Sequence, residues 1–220
     1  MKKRITALSI LALITVLPVA GVSAERGTFT DSRDNRTYQT VRVGNAVWMA
    51  ENLNFETAGG SWCYANNTSN CDKYGRLYTW DVAKEACPAG WRLPDTADWE
   101  RLERTVSGRD VSAQTSRLER LLSDDDTGTK LKSKTGWGGR SASPNGTDDI
   151  GFSALPGGAR RSNGKFYGGG SGKNATGYWW TSSMRSPTSI FYRAMIGDLT
   201  NVSNFGNGKA GSGMSVRCVQ

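Results

Sequence analysis

The sequence predicts an α+β fold, small and stapled by disulfides, with two short helices flanking a mostly antiparallel sheet and a long loop region. Three observations predict it. Residues 37–49 are patterned as paired strands, and two stretches between residues 74 and 106 carry apolar residues at helical spacing. From Asp124 onward the composition shifts to Gly, Ser, Asn, Asp and Thr, interrupted by aromatic islands.

Taken in order, Met1, Lys2, Lys3 and Arg4 precede an apolar run from Ile5 to Val19, and Val22-Ser23-Ala24 closes it with small residues. That is the layout of a signal peptide cleaved after Ala24, which leaves residues 25–220 as one domain, exported to the cell envelope or medium. Pro18 and Gly21 interrupt a run already shorter than the ~20 apolar residues of a spanning helix, so no membrane span is expected after cleavage. Cleavage lowers the formal charge from +8 to +5, since Lys2, Lys3 and Arg4 leave with no acid. The cations are not gathered in one block, so no nucleic-acid footprint is indicated. The residual charge is compatible with weak attraction to anionic polysaccharide or envelope surfaces.

Tyr38, Val41, Val43, Val47 and Trp48 are strand formers around a Gly44-Asn45 turn signal, which predicts a β-hairpin. Tyr78, Val82 and Ala86 predict a helix within Tyr74–Cys87 that Pro88 ends. Asp95 or Thr96 can cap a second helix, roughly 96–106, with Trp99, Leu102 and Val106 as its apolar stripe, and a satellite helix is predicted at Ser116–Leu122. Beyond Asp124, short strands joined by long loops are expected, the Gly168–Gly172 tract being a loop tip and Met214–Val219 a terminal strand. Aliphatic residues are scarce, so Trp48, Trp91 and Trp99 are assigned to the core.

Four Cys in an exported chain imply two disulfides, with three pairings open. The pairing Cys63–Cys71 with Cys87–Cys218 is favoured: the first closes a short polar loop, the second ties the first third of the chain to residue 218. A zinc site is a poor alternative, because the spacing is wrong and the chain has no His.

Several stretches together resemble the Fibrobacter succinogenes major paralogous domain. They are Asp31–Tyr38, Trp48–Asn54, Tyr74–Trp80, Cys87–Pro94, Gly151–Gly158 and Ser215–Val219, covering nearly all of residues 25–220 in the right order. The resemblance implies a C-type-lectin-like fold on an exported or envelope protein, and no agreed biochemical activity. Calcium-dependent lectins of that wider fold use Glu-Pro-Asn or Gln-Pro-Asp with Trp-Asn-Asp, and none of these triplets occurs here. Calcium-mediated sugar binding is therefore not implied.

With no His, Ser-His-Asp and Cys-His triads and His-bound metals are excluded, and disulfides would consume the thiols. A non-catalytic role follows, with no cofactor expected. Asp124 and Asp126 are weak calcium candidates that lack EF-hand spacing, and a solvated turn is the preferred reading. The aromatic set carries the binding expectation. Tyr167, Trp179, Tyr192 and Phe205 lie among Gly, Ser and Asn, with Arg160, Asn201 and Asn204 close in sequence. Rings that stack on sugar C–H faces, beside Asn and Arg donors, suit a glycan or an envelope protein contacted through residues 160–213. The alternatives are a structural component of a surface assembly or a hydrolase of unfamiliar kind.

Overall fold

A computed structural model describes residues 24–108, 125–138, 145–170, 172 and 174–220. The expected signal peptide lies outside the described residues except for Ala24, as do Asp124 and the satellite helix expected at 116–122.

The first sheet is antiparallel, built from β1 (Glu25–Thr30), β2 (Thr37–Val43) and β3 (Ala46–Met49) in that spatial order. The predicted hairpin is its β2–β3 pair, with Val41 opposite Trp48. Gly44 takes φ +59°, a backbone state that costs a residue without Cβ little.

The second sheet has six strands in the order β10-β9-β8-β11-β5-β4. These are β4 (Ser61–Trp62), β5 (Leu77–Tyr78), β8 (Thr176–Ser186), β9 (Ser189–Ile196), β10 (Ser203–Gly208) and β11 (Met214–Ser215). A separate hairpin joins β6 (Ala159–Arg160) to β7 (Phe166–Tyr167). Four α-helices accompany the sheets among the described residues, with a 3-10 turn at Tyr64–Asn66: α1 (Thr68–Tyr74), α2 (Trp80–Ala86), α3 (Thr96–Ser107) and α4 (Thr127–Leu131). The architecture is α+β, mostly sheet.

Two expectations are corrected. The helix predicted over Tyr74–Cys87 begins only at Trp80. Gly75, at φ +74°, ends α1, and Tyr78 is drawn into β5 by pairing with Met214 and Ser61. The region expected to hold short strands joined by long loops contains the longest strands: β8 and β9 pair from Thr176–Ile196 to Ser186–Ser189. The aromatic islands Tyr178–Trp180 and Phe191–Tyr192 lie inside these strands, and pairing across the sheet carries β8 on through Ser182 and Ser183, where strand preference is weak.

Trp179 and Trp180, adjacent on β8, enter different cores because strand side chains alternate in direction. Trp179 packs with Trp48, Trp99, Trp137, Phe152 and Met195. Trp180 packs with Tyr38, Tyr78, Trp80, Trp91 and Val216. The assignment of Trp48, Trp91 and Trp99 to the core agrees with their burial.

Both disulfides follow the favoured pairing, Cys63–Cys71 and Cys87–Cys218. The second sits where the C-terminal segment enters the first sheet: Met49 N–H donates to Cys218 O at 3.0 Å, and Val219 bridges both Trp48 and Arg92. Buried Asn52 organises the junction. Its Oδ1 accepts from Trp179 Nε1 at 2.8 Å and from Arg217 Nε at 3.2 Å, while its Nδ2 donates to Tyr74 O at 2.8 Å. Arg217 is fully enclosed, donates also to Phe152 O, and has its guanidinium pulled down to about 9 by burial.

Candidate aromatic binding face

The candidate site begins with the alternation of β8. Tyr178 and Trp180 share one face, and Trp180 stands directly opposite Tyr192, which stands opposite Phe205 on β10. Trp180 is anchored by its Nε1 donating to Tyr78 O at 2.8 Å. Gly208 is required beside it, since a Cβ there would lie 2.6 Å from the indole. Tyr192 crosses the edge of Trp180, with centroids 6.3 Å apart.

Outward from this anchor runs a row of four rings. Centroids are 5.3 Å apart for Tyr167 and Tyr178, 6.1 Å for Tyr178 and Tyr192, and 5.2 Å for Tyr192 and Phe205. The last pair is stacked at 22°. Tyr192 donates its hydroxyl to Asn207 Oδ1 at 3.1 Å. The three tyrosines are half-buried and Phe205 is 38% exposed, so the row is a shelf with its inner edge in the core and its outer edge in solvent. Burial pushes all three phenols up, Tyr192 to about 12, so they remain neutral donors across the physiological range.

Arg161 lies 4.7 Å from the centroid of Tyr167 at one end of the row. Its neighbour Arg160 takes the other side of the β6–β7 hairpin, stacked over Trp62 at 4.0 Å and near Phe166 at 5.9 Å. Tyr64 meets Phe166 edge-on there and accepts from Gly169 N–H at 3.2 Å, so the glycine tract is packed against the short Cys63–Cys71 loop.

Of the residues expected to bind, Tyr167, Tyr192 and Phe205 come together, with Arg160 on the adjoining hairpin. Trp179 does not join them: it is wholly buried, with its N–H committed to Asn52, and presents no surface to a ligand. Asn204 stands opposite Arg193 and so points to the other face from Phe205. Asn201 lies in the β9–β10 connection, its carbonyl against Gly128 of α4, away from the row. Tyr178 and Asn207 belong to the shelf but lie outside the expected set, whereas Arg161, a neighbouring donor in the sequence, is placed against Tyr167. The two-residue spacing of Tyr178 to Trp180 carried the signal for the first.

The acidic run offers the described residues no metal cage. Asp126 pairs with Lys130 at 3.0 Å, and Asp125 accepts from the Thr127 N–H and hydroxyl at 3.0 and 2.5 Å. Among the described residues no group of three or more Asp, Glu or Cys is placed to hold a metal. A separate cavity of about 240 Å³ between β2, α1 and Gly151 is lined by charges of both signs, including Arg26, Arg36, Lys73, Glu51 and Asp72. None of the helices among the described residues is long and apolar enough to cross a membrane.

Comparison with known proteins gives one match: the family model described as Fibrobacter succinogenes major domain covers residues 41–220. No curated protein and no solved structure matches.

Proposed function

The chain belongs to the Fibrobacter succinogenes major domain family, and from that premise we propose that it is an exported, non-catalytic module that binds glycan along the Tyr167–Tyr178–Tyr192–Phe205 shelf. The observation that carries this reading is the continuous row of four half-exposed rings on one sheet face, next to polar donors. Sugar rings present C–H faces that stack on such surfaces, while their hydroxyls exchange hydrogen bonds with groups such as Asn207 and the tyrosine phenols. A rigid strand platform also spares the ordering cost that a mobile loop would add on binding.

Export is supported by the basic-apolar-small pattern of residues 1–24 and by two disulfides, which persist in oxidising compartments. A C-type-lectin-like reading of the fold is supported by α2 and α3 preceding the long strands β8 and β9 and by the Cys87–Cys218 tie between the early and late parts of the chain. A protein-contacting role in a surface assembly is the second reading, favoured by Met184, which is 45% exposed at the β8–β9 turn.

Binding of the oxidised, purified protein to an array of plant cell-wall and bacterial glycans, with and without chelator, tests the proposal. Chelator-insensitive binding is expected. Tyr192→Ala combined with Phe205→Ala should weaken it about tenfold or more, with the fold retained by circular dichroism. Unaltered affinity in the folded double variant would remove the shelf from consideration, and absence of any glycan ligand would favour the protein-contacting reading.

A further inference from the structure

Positive charge is distributed unevenly along this chain. Residues 151–220 hold eight Lys and Arg but a single acid, Asp198. Two of those cations are internal: Arg193 pairs with Glu103 at 2.8 Å, and Arg217 is buried on Asn52. Arg160, Arg161, Lys165, Arg185 and Lys209 remain at the surface, and among the described residues none of the five forms an ion pair.

Three of these five lie on the β6–β7 hairpin, which also supplies Tyr167 to the shelf. Arg161 stacks on Tyr167 itself, and no carboxylate is among the charges that act on the phenols of Tyr167, Tyr178 and Tyr192. Many of the cations before residue 151 are matched. Arg76 pairs with Glu56, Arg33 with Asp31, and Arg92 and Arg101 with Asp98. The end of the aromatic row that adjoins the hairpin is thus a place where the Arg161 guanidinium is held against a ring with no carboxylate paired to it.

We propose that the ligand of the shelf is an acidic polysaccharide, bearing uronate carboxylates or sulfate esters, whose anionic groups are taken by Arg161 and Lys165, the two cations that share the Tyr167 face of the hairpin. The inference rests on the glycan reading of the shelf and names its substrate class. Aromatic stacking selects the sugar ring and leaves its substituents free to reach the hairpin. Charge-assisted, two-pronged hydrogen bonds from arginine then distinguish an acidic chain from a neutral one.

The test is affinity electrophoresis of the oxidised protein in gels carrying polygalacturonate, dextran sulfate, hydroxyethylcellulose or xylan, repeated at rising salt. Retardation by one or both acidic polymers is expected, about tenfold stronger than by the neutral ones and falling with salt. Response to polygalacturonate alone assigns a carboxylate, response to dextran sulfate alone a sulfate ester, and response to both the shared anionic chemistry. Arg161→Gln with Lys165→Gln, both exposed positions, should reduce retardation about tenfold, and Tyr192→Ala should reduce it as well. Neutral polymers binding as tightly and independently of salt would overturn the acidic class while leaving the glycan reading intact. Acidic polymers binding Tyr192→Ala undiminished would also overturn it, because charge alone would then suffice. Binding to no polymer at all would remove both readings together.

Discussion

Asp98 illustrates how much one buried side chain can carry. It sits in the first turn of α3, where the Asp98 N–H donates to Asp95 Oδ1 at 2.7 Å and the Asp98 carboxylate accepts from the Asp95 N–H at 2.8 Å, a reciprocal cap. The same carboxylate accepts from Arg92, and from Arg101 at 2.5 Å. Burial alone would raise its pKa, yet the hydrogen bonds from Arg92 and Asp95 and the charge of Arg101 hold it down at about 2. A carboxyl that titrates lower folded than unfolded stabilises the fold above its unfolded value, near 3.8, and loses that contribution as pH falls towards about 2. Acid unfolding should therefore show about 2 kcal/mol of pH-dependent stability across that window, and Asp98→Asn should remove it; urea titrations from pH 5 to pH 2 measure the difference. The sequence made the Asp95 cap legible, because cap residues act on their own backbone. It did not disclose that Asp98 also gathers two arginines, a matter of how Arg92 returns to the helix start. The same limit misplaced Trp179: without strand register, nothing separates its inward direction from the partly exposed setting of Tyr178.

At the level of elements, the connection between β9 and β10 is held by a lysine where a loop of this length would otherwise leave carbonyls unbonded. Lys132, just after α4, is 1% exposed and donates its ammonium to Ile196 O and Leu199 O, both at 2.6 Å, and to Gly197 O at 3.3 Å. Burial draws this amine down to about 8, with Asp198 opposing the shift. Lys132→Met keeps the aliphatic stem and takes the ammonium from Gly197 O and Leu199 O, while Ile196 O retains the Leu199 N–H, so it should cost about 2–3 kcal/mol in a urea unfolding experiment, with proteolysis first appearing within 197–202. Helix α3 was readable because its apolar stripe repeats over three turns. The long strands β8 and β9 were not, because their Gly, Ser and Thr positions find their reason in partners across the sheet. Helix α1 was hidden because it begins inside the polar loop between Cys63 and Cys71, although Asn67, which accepts from Ser69 N–H at 3.1 Å, marks its start.

For the molecule as a whole, the two disulfides act on very different scales. Cys63–Cys71 spans a sequence separation of 8, and Cys87–Cys218 one of 131. In the chain-entropy model the longer bridge removes about 5 kcal/mol of unfolded-state freedom and the shorter about 2.5 kcal/mol. Paired Cys→Ser variants should consequently rank in that order in denaturant midpoint, the Cys87–Cys218 pair being the more damaging. Composition and spacing pointed to the α+β class and favoured, among three open pairings, the one the structure shows, and the segregation of charge towards residues 151–220 was present in the sequence as well; what it meant depended on the hairpin that brings Arg161 against Tyr167. The C-terminal segment also has a bearing on the order of events during synthesis. Val47, Met49 and Leu53 donate to Gln220, Cys218 and Val216 respectively, and β5 finds its antiparallel neighbour in β11. A nascent chain that ends before residue 214 lacks the strand that joins the two sheets, the cysteine that closes the large loop and the arginine that fills the site beside Asn52. Its earlier elements must wait, partly assembled, until the last stretch arrives, which favours slow folding dominated by contacts far apart in sequence.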